Sequence, residues 1–216
     1  MKNNKNQNIV KMPISKRIFD IVFSFLAILI FSPIIFIILL SIFIEHLLIH
    51  RTFASLFYTE KRISQGEPFN LVKFNIFKPR VLEDLRKRGI FIHTKPLERD
   101  GHSLTFIGKI LQKTYIDEFP QFFSILKGDI SLVGPRPVNL EVYQDLLDKG
   151  VYTKTVIKTG LTGDYQSQKG IAKKSDIELD EEYIEYCRNN NQLKIFLFDL
   201  KIIIKTFKVL FRAQGI

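Results

Sequence analysis

Residues 18–44, IFDIVFSFLAILIFSPIIFIILLSIFI, carry a single charge, Asp20, close to the start. As a helix rising 1.5 Å per residue the run reaches about 40 Å, more than the ~30 Å hydrocarbon core of a bilayer. No other feature restricts the fold as much, because such a stretch has to leave water. A cleaved signal peptide does not fit: the apolar stretch is too long, and no small-residue cleavage site follows it before EHLLIHR. The expectation is a segment kept in the membrane. Ser32-Pro33 stands mid-run, and proline removes one backbone hydrogen bond and clashes with the carbonyl four residues back. Two arrangements fit. One is a tilted single pass with a tolerated kink; the other is a helix–break–helix hairpin that dips into one leaflet and returns. Lys2, Lys5, Lys11, Lys16 and Arg17 precede the run and argue for a cytoplasmic N-terminus. The chain beyond it is also basic and has no second hydrophobic span, so the re-entrant hairpin is the favoured reading.

A net charge of +10 over 216 residues suits an anionic partner: nucleic acid, nucleotide or lipid headgroup. Without tryptophan there is no Trp-lined sugar platform, and one cysteine, Cys187, excludes a disulfide framework and a Cys-rich zinc site. His46, His50, His93 and His102 lack metal-ligand spacing. Near the C-terminus, Lys194, Lys201, Lys205, Lys208 and Arg212 fall on one narrow helical stripe of an otherwise apolar segment. Such a helix fits the headgroup boundary, and a core helix with a solvated lysine edge fits as well. Asp199 faces the apolar side, so a buried partner is expected for it.

Residues 56–77 read as two short strands around Gln-Gly-Glu-Pro. Residues 78–104, with Arg80, Arg86, Lys87, Arg88, Lys95 and Arg99, read as a short helix and a loop, and the first eleven residues as disordered. Ile107, Ile110 and Leu111 mark a short amphipathic helix. Phe119, Phe122, Phe123 and Leu126 then fall at i, i+3, i+4 and i+7, which predicts a buried helix face ended by Gly128. Asp117 falls near the N-cap of that helix and Pro120 in its first turn. Acids framed by Ile116 and Phe119 need a partner or a task. Asp117 reads as a helix cap, or as a nucleophile or metal ligand where a helix N-terminus attracts phosphate, with Lys113 and Thr114 beside it. Arg136, between Pro135 and Pro137, sits on a stiff backbone suited to bidentate phosphate contact, or is a surface residue of a proline turn.

Taken together, the apolar run with Ser32-Pro33, FYTEKRI and PFNLVKF, GKILQKTYIDEFPQFFSILKGDISLVGPRPV, KTGLTGDYQ, and LDEEYIEY with FLFDLKIIIKT resemble the bacterial sugar transferases, the monotopic polyprenyl-phosphate phosphoglycosyl transferases. The resemblance covers nearly the whole chain and its short length matches the short form. It implies transfer of a sugar phosphate from a UDP-sugar to polyprenyl (undecaprenyl) phosphate with release of UMP, with Mg²⁺ as the usual metal. Asp117 would be the nucleophile that forms a phosphosugar intermediate, Glu118 would assist with Mg²⁺ or the second half-reaction, and Arg136 would contact the nucleotide. The chain departs from the family pattern at Gln112 (an Arg elsewhere), Asn75, Thr159 and Asp164 (an aromatic elsewhere).

The expected fold is α+β and mostly helical: a basic segment 1–17, a re-entrant membrane hairpin 18–44, and a catalytic domain 45–216 with a β-hairpin and interfacial amphipathic helices. That domain would lie on the cytoplasmic face of the bacterial inner membrane, against anionic lipid, as a monomer or homodimer, with no nucleic-acid partner. A family member without catalysis, serving as a membrane-bound partner of glycan-assembly enzymes, is the alternative.

Overall fold

The computed structural model describes residues 9–87 and 94–211. The apolar run forms one uninterrupted helix, α1 (Ile14–Leu48), with Pro33 inside it. This corrects the helix–break–helix expected at Ser32-Pro33. Pro33 has no N–H to offer the carbonyl of Leu29 four residues back, and the Ser32 hydroxyl donates to that carbonyl instead, at 2.8 Å. A side chain thus replaces the missing rung, which matters in surroundings where an unmet carbonyl costs several kcal/mol (roughly).

Strands β1 (Phe57–Ser64) and β2 (Glu67–Phe74) form the expected hairpin. Its two turn residues, Gln65 and Gly66, both have positive φ, 53° and 79°, the backbone that matches the twist of paired strands. Downstream come α2 (Pro79–Lys87), α3 (Thr94–Arg99), α4 (Phe106–Thr114), a 3-10 turn (Ile116–Glu118), α5 (Gln121–Lys127) and β3 (Ser131–Val133). The chain continues through α6 (Leu140–Asp148), α7 (Thr153–Val156), β4 (Gly160–Thr162), α8 (Asp164–Ser167), α9 (Asp176–Asn189) and α10 (Gln192–Phe211). Arg88 and His93 lie outside the described residues, as do residues 1–8 and Arg212.

The described residues divide into two compact units. The first comprises 9–27, 60–71 and 121–211. Its core joins Ile125, Ile130, Val133, Tyr183 and Ile202 to Phe19 and Phe23 of α1. At its centre β3 and β4 pair in parallel, Ser131 opposite Gly160 and Val133 opposite Thr162. The start of α1 is tied down by buried charges. Lys16 pairs with Asp199 at 2.5 Å and donates to the Val133 carbonyl, and the Tyr183 hydroxyl donates to Asp199 at 2.8 Å. Lys16 is therefore the buried partner expected for Asp199. Asp20 accepts from the Ser131 hydroxyl and the Leu132 N–H. Arg17 donates to the carbonyls of Ile125 and Leu126, the open end of α5, where Gly128 with φ 87° stops the helix as expected. On α10, Lys194, Lys201 and Lys208 are exposed, and so are Leu193, Leu197, Ile204 and Phe207.

The second unit comprises 28–59, 72–87 and 94–120. Its core gathers Ile42, Tyr58, Phe74, Phe77, Leu104 and Leu111. Glu45, near the end of α1, accepts from the N–H groups of Phe106 and Ile107 at 2.5 and 3.0 Å, so a carboxylate caps the positive end of α4. Gly108 lets α4 press against the chain that follows β2: a Cβ there would lie 2.1 Å from the Ile76 carbonyl oxygen. Between its anchored ends α1 is bare, with Phe25, Ile30, Phe36 and Ile37 each more than half exposed. Among the described residues it is the one helix long and apolar enough to cross a membrane.

Candidate active site

The site in the second unit is built by the way α4 ends. Tyr115 takes a left-handed backbone, φ 59° and ψ 14°, and its N–H bonds back to the carbonyls of Gln112 and Leu111. A tyrosine in that conformation costs about 1 kcal/mol or more, and it turns the chain sharply. The 3-10 turn begins at once, closed by Glu118 N–H to Tyr115 and Phe119 N–H to Ile116. Ile116 and Phe119 pack on the unit's core and leave Asp117 5% exposed. Phe119 also meets Phe31 of α1, ring centroids 6.0 Å apart, so the acidic turn and the middle of the apolar helix share one unit.

Lys73, in β2, completes the cluster. Its ammonium lies 3.0 Å from Glu118 and 4.0 Å from Asp117. Burial, and next the negative charge of Glu118, push the Asp117 carboxyl up to about 7, with Lys73 pulling the other way and Glu98 adding to the rise. A carboxyl so poised changes charge near neutral pH, the behaviour of groups at reacting centres.

Two expectations are corrected here. Asp117 does not cap the following helix: it lies in the separate 3-10 turn, and α5 starts only at Gln121, beyond Pro120. The site is therefore not a helix N-terminus, and what marks Asp117 is burial beside Glu118 and Lys73. The buried face of α5 is Gln121, Ser124 and Ile125, while Phe123 is half exposed. The periodic run starts at Phe119, which precedes the helix, and an apolar face need not point at the core in a chain with so much bare apolar surface.

The other expected residues are placed as follows. Lys113 and Thr114 are exposed on the last turn of α4, and the Thr114 hydroxyl donates within its own helix, to Ile110 and Leu111. Arg136 belongs to the first unit, exposed between the buried Pro135 and Pro137. Its loop is locked where β3 ends: Gly134 N–H bonds to Thr162 and Gly160 N–H to Pro135, at 2.9 and 2.8 Å. Gln112 donates its amide to the Glu98 carbonyl at 3.0 Å, and Asn75 ties itself to the chain at Ser55 and Phe77. Lys73 was not read from the sequence. A lone cation between Val72 and Phe74 in an apolar strand was the available signal, since such a charge needs a partner.

Among the described residues no three His, Cys, Asp or Glu side chains are grouped to hold a metal. Mg²⁺ is commonly held by one or two carboxylates together with waters and substrate phosphates, so the Asp117–Glu118 pair fits it as a partial ligand set.

The sequence matches the model of the family described as bacterial sugar transferase over residues 11–213. It is 30% identical to the exopolysaccharide production protein ExoY of Sinorhizobium fredii, over 94% of this chain and 88% of that one. It is 31% identical to the undecaprenyl-phosphate galactose phosphotransferase of Salmonella typhimurium, over 93% of this chain and 41% of the other. An uncharacterized sugar transferase of Haemophilus influenzae is 30% identical over 97% of the chain, which spans 44% of that protein. The chain thus covers less than half the length of the last two relatives and most of ExoY.

Proposed function

This chain belongs to the bacterial sugar transferase family, and from that premise we propose that it moves a sugar phosphate from a UDP-sugar to undecaprenyl phosphate, the first membrane step in building a bacterial polysaccharide. The observation that carries the reading is Asp117, a carboxyl 5% exposed, beside Glu118 and within 4.0 Å of Lys73. In the proposed reaction an Asp117 oxygen attacks the sugar-bearing phosphorus, the bond to the bridging oxygen breaks, and UMP leaves. An oxygen of undecaprenyl phosphate then attacks the same phosphorus, Asp117 is released, and the lipid carries a sugar diphosphate. Lys73 holds Glu118 and keeps the buried dyad one charge less negative. Arg136 is the nucleotide contact that the family pattern assigns. Bound Mg²⁺, held by Asp117 and Glu118, would screen the repulsion between carboxylate and phosphate.

The same reading keeps both ends of α1 on the cytoplasmic face. Lys16 is held by Asp199 and Glu45 by the N–H groups of Phe106 and Ile107. The lysines and exposed apolar residues of α10 suit an anionic headgroup boundary. The non-catalytic alternative draws on Gln112, which stands where the family has Arg and commits its amide to Glu98.

The test is UMP release by detergent-purified protein given Mg²⁺, undecaprenyl phosphate and a panel of UDP-sugars, with Asp117→Asn alongside. Release with one sugar, lost in the variant, supports the transferase. Folded protein that releases UMP from none of them supports the non-catalytic partner.

A further inference from the structure

The two parallel strands of the first unit end at one corner. Beyond β3 comes the loop of Gly134, Pro135 and Arg136; beyond β4 come Gly163 and α8. The loops are in direct contact, since a Cβ on Gly163 would lie 2.3 Å from the Gly134 carbonyl oxygen and 2.9 Å from Oε1 of Gln166. Gln166 is folded back onto this corner. Among the described residues neither its Oε1 nor its Nε2 finds a hydrogen-bonding partner, and both are buried, while its neighbour Tyr165 is 40% exposed. Leaving both ends of a carboxamide unmet is costly, and native structures rarely keep such a group without a use. Parallel strands direct ligands to the space beyond their carboxyl ends.

We propose that Gln166 reads the base edge of the nucleotide, with Tyr165 as the ring on which that base stacks. This rests on the reading above, in which the donor is a uridine nucleotide, and adds to it the residue that selects the base. The chemistry matches. A carboxamide sets an acceptor and a donor side by side, and uracil sets the N3 donor beside the O4 acceptor. Such a paired contact discriminates among bases, and an aromatic face beside it supplies sequence-tolerant stacking. Gln166 is half-buried along its stem, so rotation about its unbranched side chain brings the head out to a ligand. Gly134 and Gly163 hold the two loops together, which sets the corner that bears Gln166 beside the loop that bears Arg136.

Equilibrium binding of UMP and of ribose 5-phosphate, which is UMP without its base, to the detergent-purified full chain tests this. The wild-type chain is expected to bind UMP more tightly than ribose 5-phosphate. Gln166→Leu, of similar size but without polar atoms, is expected to weaken UMP about tenfold and leave ribose 5-phosphate unchanged. Gln166→Glu, which keeps the acceptor and removes the donor, should lose part of the same advantage, and Tyr165→Ala should lose another part. Equal loss for both ligands, or loss for neither, overturns the inference and leaves Gln166 a structural residue. UMP release by a chain whose UMP affinity ignores Gln166 overturns the inference alone. Gln166-dependent UMP binding by a chain that releases no UMP upholds it and overturns the transferase reading. A wild-type chain that binds no UMP overturns both.

Discussion

Asp117 releases its proton only at about 7, because burial and the neighbouring Glu118 disfavour its anion more than Lys73 favours it. Attack on phosphorus needs that anion, so formation of the covalent intermediate should rise with pH through about 7 and level off above it. Lys73→Met removes the larger of the two influences that lower the value, the other being a backbone hydrogen bond. The rising limb should then move to higher pH by about 1–3 units, and the rate at pH 7 should fall several-fold or more. Single-turnover UMP release across pH reads this, and an unmoved limb in the variant would show that Lys73 does not set the charge of Asp117. At this scale the sequence was legible where chemistry is local. Two acids between Ile116 and Phe119 announce themselves, whereas Lys73 stands 45 residues from Glu118 and enters only when the hairpin folds. Gln166 was hidden for a similar reason, since its unmet amide exists only once β3 and β4 lie side by side.

Among the elements, α1 was the most legible, because an apolar run of that length admits few folds. The break at its centre was misread because proline's effect depends on what meets the freed carbonyl, and here the preceding serine does. That assignment predicts a coupled pair. Ser32→Ala should destabilise the chain by about 1 kcal/mol, since it leaves the Leu29 carbonyl unmet in an apolar setting. In a Pro33→Ala background the same change should cost far less, because the backbone N–H at 33 then serves Leu29. A double-mutant cycle by denaturant unfolding in detergent measures the coupling, and additive effects would contradict the assignment. The hairpin was legible from its turn residues. The β3–β4 pair was not, because three-residue strands joined across a long crossover leave almost no local pattern. The face of α5 was misjudged because periodicity reports where the apolar residues gather and does not say whether core or lipid receives them.

For the molecule as a whole, the contact between Phe31 and Phe119 ties the bare stretch of α1 to the turn that carries Asp117 and Glu118, within one unit. A lipid phosphate and a soluble nucleotide sugar can both reach a centre placed at a membrane face. If both ends of α1 lie on the cytoplasmic face, Ile49→Cys in a Cys187→Ala background should resist a membrane-impermeant thiol reagent in intact cells and react after lysis. Labelling from outside would assign a single pass. The proposed phosphosugar on Asp117 can be trapped by incubating the purified chain with its UDP-sugar in the absence of undecaprenyl phosphate, followed by acid quench and peptide mass spectrometry. The expected result is a burst of UMP no larger than the amount of enzyme, and a sugar phosphate on the peptide that contains Asp117, absent in Asp117→Asn. A chain that turns over when undecaprenyl phosphate is supplied, yet shows no burst and an unmodified Asp117 peptide without it, would contradict the account and point to direct transfer between the two substrates.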